Sequence, residues 1–218
     1  MGKVGVLCEE SGIVRDAFAA LGHDAWSCDI LPRASPRHIR GDCLEQDWRG
    51  FDLLIAFPPC THLCVSGARH FARKRNNGQQ DTGIRFFLAC ARLIESVGLG
   101  AIENPVGIMS TLYRKADQII QPWQFGHATP KKTCLWLFGG LPELHPTSVV
   151  ELGSDAYQVA RSGRRISNQY TRATVCGSRA RARSQTFPGI ARAMAEQWGP
   201  LLPIRRHAER QAARPSAS

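Results

Sequence analysis

At 218 residues, with 43% apolar and 21% charged side chains, the chain has the make-up of a globular protein and the length to bury a core without cross-links. This excludes a mainly disordered or fibrous chain, and no apolar run reaches the ~18 residues a membrane span needs. Basic side chains outnumber acidic ones 28 to 18, a formal charge of +10 that either serves a polyanionic partner or simply keeps the chain soluble. The opening residues, Met1 to Gly12, lack the apolar stretch and cleavage pattern of a signal peptide, so a cytoplasmic location is expected.

Strand and helix signals alternate through the first 105 residues. Val4 to Cys8 reads as a strand and Gly12 to Leu21 as a helix; Ala25 to Cys28 reads as a second strand. Phe51 to Phe57 is apolar on both faces, as in a buried parallel sheet. Asp81 to Val97 fits a helix, Leu99 to Ile102 another buried strand, and Thr133 to Phe138 a later one. The pattern predicts an α/β fold, a mostly parallel sheet with helices on both faces. Residues 1–138 form its core.

The composition changes after Gly139. Between Arg161 and Arg183 stand seven arginines and no acidic residue, with poor periodicity, which predicts loop and short strands. Residues 139–186 are expected to form a small basic segment and 187–203 a closing helix, from about Ile190 to Trp198, packed on the core. The polar tail, 204–218, is expected to be disordered.

Ligands of open α/β sheets bind beyond the carboxyl ends of the strands, so the residues there are the candidates. The first strand leads into Cys8-Glu9-Glu10-Ser11-Gly12, which has too few glycines for a standard dinucleotide or phosphate loop. Its two carboxylates suit a ligand with hydroxyls or a cationic group. Asp29 ends the second strand, and Asp42 lies in a third acidic turn; each either caps its turn or holds the hydroxyls of a nucleoside. Ala56-Phe57-Pro58-Pro59-Cys60-Thr61 follows the most apolar strand, and its two prolines restrict the loop. Cys60 there is either a buried thiol or a nucleophile. The next strand ends at Glu103-Asn104-Pro105. A thiol with a neighbouring acid can attack an electron-poor ring and protonate its nitrogen.

These residues, in this order, resemble the DNA cytosine-C5 methyltransferases, most of all their short phage and prophage members, from about Val4 to Trp198. The resemblance implies a Rossmann-like, class I S-adenosylmethionine-dependent fold in a bacterial or phage-infected cell. It implies that Cys8, Glu9, Glu10, Ser11 and Gly12 form the first cofactor loop. Asp29 with Ile30 and Asp42 with Cys43 would bind S-adenosylmethionine, with Phe57 and Pro58 beside it. Pro59-Cys60 matches the catalytic pair, Ser66-Gly67 a mobile loop, and Glu103-Asn104 the catalytic pocket. Lys131-Lys132-Thr133-Cys134 falls where the family carries an arginine-rich strand, with lysines in place of arginines. Thr186-Phe187-Pro188-Gly189 resembles the closing motif. The usual target-recognition domain is cut to about 48 residues. S-adenosylhomocysteine would be the product.

Under this resemblance the partner is double-stranded DNA. Its contacts are expected from Ser66, Arg69, Lys131 and Lys132, and from Arg161, Arg164, Arg165, Arg172, Arg179, Arg181 and Arg183. Arg73, Lys74 and Arg75 either close over DNA or cap a helix. Cys64 and Cys134 are expected to be structural, and His62 is a candidate for proton transfer beside Cys60. Trp123, Phe125 and His127 either stack on a ligand or pack. None of the eight cysteines is spaced C-x-x-C and most lie in apolar runs, so free thiols and no metal site are expected. Two alternatives keep the fold: a methyltransferase acting on RNA or a free nucleotide, and a non-catalytic DNA-binding protein.

Overall fold

The structure, a computed structural model, describes residues 1–65, 70–159, 163, 165–167 and 185–203. The tail at 204–218 lies outside them. One sheet is built from β1 (Lys3–Leu7), β2 (Asp24–Asp29), β3 (His38–Arg40), β4 (Leu53–Ala56), β5 (Gly100–Pro105), β6 (Gln118–Ile120) and β7 (Thr133–Phe138). Its order is β3-β2-β1-β4-β5-β7-β6. Every pair from β3 to β5 is parallel, and β7 runs antiparallel to both its neighbours. A separate hairpin joins β8 (Tyr157–Val159) to β9 (Arg165–Ser167). The described helices are α1 (Ile13–Ala20), α2 (Phe71–Asn76), α3 (Gln79–Val97), α4 (Met109–Leu112) and α5 (Pro188–Trp198), with short 3-10 turns between elements.

Alternation along the strands feeds two cores. Val4, Val6, Leu53, Ile55, Ala101 and Leu135 face α1 and α5, in a cluster that includes Phe18, Met194 and Trp198. Leu7, Leu54, Ala56, Ile102 and Trp136 face the other way, toward Phe87, Cys90 and Ile94 of α3. All four side chains of β4 are fully buried, which explains why its sequence shows no polar face. Each buried leucine or isoleucine there contributes about 1.5–3 kcal/mol. Leu141 and Leu144 join the α1–α5 cluster, and Trp198 Nε1 donates to the Pro142 carbonyl at 2.9 Å, so the chain just past β7 packs on the core.

The expected α/β architecture is present, with helices on both faces, and its boundaries shift for local reasons. The strand expected over Phe51 to Phe57 shortens to β4. Phe51 N–H donates to the Trp48 carbonyl in a turn, and Pro58 has no N–H to continue the ladder. β5 runs beyond Ile102 to Pro105 because β7 pairs with it throughout, matching Glu103 to Leu135 and Asn104 to Cys134. The α3 helix starts at Gln79, after Gly78 turns the chain at φ 74°. The short elements β3, β6, α2 and α4 were not anticipated, being three to six residues long with mixed polarity.

The chain leaves β1 toward β2 and β3 on one side of the sheet, while β4 and β5 lie on the other. The crevice at a doubly wound sheet's switch point therefore opens between the carboxyl ends of β1 and β4. The loop from Cys8 to Gly12 and the loop from Phe57 to Cys60 face it.

Candidate active site

Gly12 caps α1 in the left-handed region, at φ 71°, and a Cβ there would run into the Arg15 guanidinium. The turn aims Glu9 back under the helix. Its Oε1 accepts from Val14 N–H at 2.9 Å and from Ser11 Oγ at 2.9 Å, which caps the first turn of α1. Its Oε2 is buried without a partner, and burial raises the Glu9 carboxyl above its ordinary pKa. Two of the expected cofactor residues, Glu9 and Ser11, thus also hold the loop itself. Glu10 is partly buried and its carbonyl accepts from Arg33 at 3.4 Å.

Asp29 closes β2, with Oδ1 accepting from Leu31 N–H at 2.9 Å, and desolvation raises its pKa. Asp42 follows β3 and accepts from Leu44 N–H at 2.9 Å. Ile30 is 70% exposed beside Asp29. Cys8 and Cys43, by contrast, turn their sulfurs toward the α3 side of the core, where they meet Cys90. Neither thiol is directed to a ligand in the crevice, which leaves the backbone of these two positions for any such contact. Hydrogen bonds from Cys8 and Cys90 pull the Cys43 thiol down to about 4 and push their own thiols up.

The Phe57–Cys60 loop is held from three sides. Phe57 N–H donates to the Leu7 carbonyl at 3.0 Å, and buried Asn104 donates from Nδ2 to the Pro58 carbonyl at 2.7 Å. After Cys60 the chain turns helically, with Cys64 N–H donating to the Cys60 carbonyl at 3.0 Å. Cys64 then bridges Gly107, where a Cβ would strike the Leu63 carbonyl. Lys74 of α2 is buried and donates to the Thr61 carbonyl. So Asn104 and Lys74 act on the loop backbone, and Lys74 neither caps its helix nor lies open on the surface.

Cys60 and Glu103 come together at the carboxyl ends of β4 and β5, which pair directly. A hydrogen bond with Cys64, burial and the nearby Glu103 carboxylate push the Cys60 thiol up, and Lys131 pulls it down. Burial raises the Glu103 carboxyl, against Lys131 and a hydrogen bond with Thr133. Lys131 therefore acts on both groups, a placement its sequence position did not suggest. It also lies 5.8 Å from the centre of the Phe187 ring.

Other candidates sort plainly. Cys134 is buried in β7, as expected, and Phe125 is core. His127 accepts at Nε2 from Gly189 N–H at 2.9 Å, tying the start of α5 to the loop that leads into β7. His62 packs toward Gly83 of α3 and feels the Lys74 charge; its Nδ1 is buried without a partner. Lys132 is exposed. Arg165 lies in β9, its backbone alone being described. Ser66, Gly67, Arg69, Arg161, Arg164, Arg172, Arg179, Arg181 and Arg183 lie outside the described residues. A surface hollow between Trp48, Phe51, Leu93 and Val97 sits at the amino end of β4, the opposite end from Cys60. No family model and no curated protein sequence matches the chain.

Proposed function

We propose that the protein is a DNA cytosine-C5 methyltransferase that uses S-adenosylmethionine. The observation that carries this reading is the meeting of the Cys60 thiol, the Glu103 carboxyl and the Lys131 charge at adjoining strand ends. A thiol beside a carboxyl that desolvation shifts toward protonation suits attack on a pyrimidine ring better than attack on an exocyclic amine, which needs no thiol.

The residues fit the methyl donor. Asp29 and Asp42, at the ends of β2 and β3, supply acceptors for ribose hydroxyls and an adenine amine. The buried, unpartnered Oε2 of Glu9 at the Gly12 turn offers a carboxylate to a cationic group. S-adenosylmethionine, when bound, supplies a methyl group made electrophilic by its sulfonium.

The side chains would act on a flipped cytosine, because the target carbon is closed off inside the duplex stack. Cys60 loses its proton to solvent and its sulfur forms a bond to C6, the C5–C6 π pair shifting into the ring. Glu103, whose carboxyl desolvation shifts toward the protonated form, would donate to N3 and stabilise the electron density pushed into the ring. The C5 carbon, now an enamine carbon, would take the methyl group as the methyl–sulfonium bond breaks and S-adenosylhomocysteine leaves. A proton then leaves C5 to solvent, its electron pair restores the ring double bond, and the Cys60 carbon–sulfur bond breaks. Lys131 favours the thiolate, and Asn104 holds the loop that carries it. The charge of +10 and the arginines between Arg161 and Arg183 favour a nucleic-acid backbone as the surrounding partner.

A duplex carrying 5-fluorocytosine tests this directly. Fluorine cannot leave C5 as a proton does, so the adduct should persist in the presence of S-adenosylmethionine. Peptide mapping should find it on Cys60. An adduct on another residue, or none, would remove Cys60 from the chemistry.

A further inference from the structure

We propose that Cys8, Cys43 and Cys90 form a zinc-binding site. The three come from separate parts of the chain: the turn after β1, the turn after β3, and the middle of α3. No short spacing links them, so no sequence motif announces the site. Their sulfurs nevertheless lie within 4.8 Å of one another, and those of Cys8 and Cys43 are 3.7 Å apart. Three thiolates bound tetrahedrally to zinc at about 2.3 Å stand about 3.8 Å from each other. The cluster therefore needs only small side-chain rotations to close on an ion.

Packing alone is the plain alternative, since buried cysteine behaves as a small hydrophobe. Two observations weigh against it. The three sulfurs turn toward each other, from three elements, inside a region otherwise filled by Leu7, Trp48, Leu54 and Phe87. Cys8 is also the single non-glycine residue at positive φ among those described, at 58°. Glycine would occupy that conformation without strain, so a cysteine held there points to a use for its sulfur.

Thiolates select soft borderline ions over magnesium or calcium. Zinc leaves three thiolates with one net negative charge, whereas a monovalent ion would leave two in a largely buried place, at greater desolvation cost. A small ligand such as water would fill the fourth position. The thiol protons displaced on binding go to solvent. Bound zinc would cross-link the β1 turn, the β3 turn and α3, while Cys60 takes no part in it.

The test uses the reduced full chain, stripped with a chelator and titrated with zinc against a chromophoric competitor. One equivalent should bind, and Tm should rise with zinc concentration. X-ray absorption on the loaded wild type should give three sulfurs at about 2.3 Å. The Cys43→Ser and Cys90→Ser variants should each lose the equivalent, and Cys60→Ser should keep it. Failure of the wild type to bind, a first shell with fewer sulfurs, or full retention in the Cys43→Ser and Cys90→Ser double variant would overturn the proposal. If the variants do not fold, the wild-type absorption spectrum decides alone. None of these outcomes bears on the Cys60 adduct experiment, so the two readings stand or fall separately.

Discussion

At Cys60 the surroundings oppose ionisation. The hydrogen bond with Cys64 does most to raise its thiol, burial and Glu103 add to it, and among the described residues Lys131 works against them. Reactivity in the free protein should be low at neutral pH, and the substrate complex must supply what the resting site withholds. The pH dependence of Cys60 alkylation, followed by peptide mass spectrometry, reads this balance. Cys64→Ala should move the midpoint to lower pH by removing the main raising contact. Lys131→Met should move it to higher pH by removing a cation that favours the thiolate. Equal midpoints in wild type and both variants would show that neither neighbour tunes the thiol. The sequence made Cys60 and Glu103 visible because each comes directly after a strongly apolar run. Lys131 was read as a DNA contact because its tie to the thiol arises only when β7 pairs with β5.

Among the elements, β4 and β5 matter most, because their following loops are stitched to each other. Asn104 donates to the Pro58 carbonyl across 46 residues of sequence, Cys64 bridges Gly107, and Ile108 N–H donates to the Leu63 carbonyl at 3.0 Å. Asn104→Ala would leave a buried carbonyl unpaired, at about 1–3 kcal/mol. Denaturant unfolding should show that loss, and the adduct yield on 5-fluorocytosine DNA should fall with it. A stability loss within experimental error would mean that water or another donor replaces the amide. Strongly apolar strands such as β4 and β7 could be read from composition, whereas β3 and β6 could not. Each of those is three residues long and stands at an edge of the sheet, where pairing with a neighbour and not its own pattern defines it. The turn at Glu9 was legible as an acidic loop, but its capping of α1 depends on the left-handed Gly12.

For the molecule as a whole, the sheet's switch point gathers the β1 loop, Asp29, Asp42, Cys60 and Glu103 at one end. Alternating strands and helices predicted that end as the site, because parallel strands must share a direction. The place of antiparallel β7 between β5 and β6 was not legible, since pairing order is a tertiary property. The surplus of positive charge belongs to this scale as well. Neutralising Arg161, Arg164 and Arg165 together should weaken binding to matched and scrambled duplexes alike. It should also flatten the slope of log affinity against log salt by about 0.9 per lost phosphate contact. An unchanged slope would place these arginines away from DNA. The central claim, transfer of a methyl group to cytosine C5 through Cys60, is tested most directly by product identity. Duplex DNA is incubated with the protein and labelled S-adenosylmethionine, digested to nucleosides and resolved by mass spectrometry. The account predicts label in 5-methylcytosine with wild type and none with Cys60→Ser. Label in N4-methylcytosine or N6-methyladenine, or undiminished 5-methylcytosine from Cys60→Ser, would contradict it.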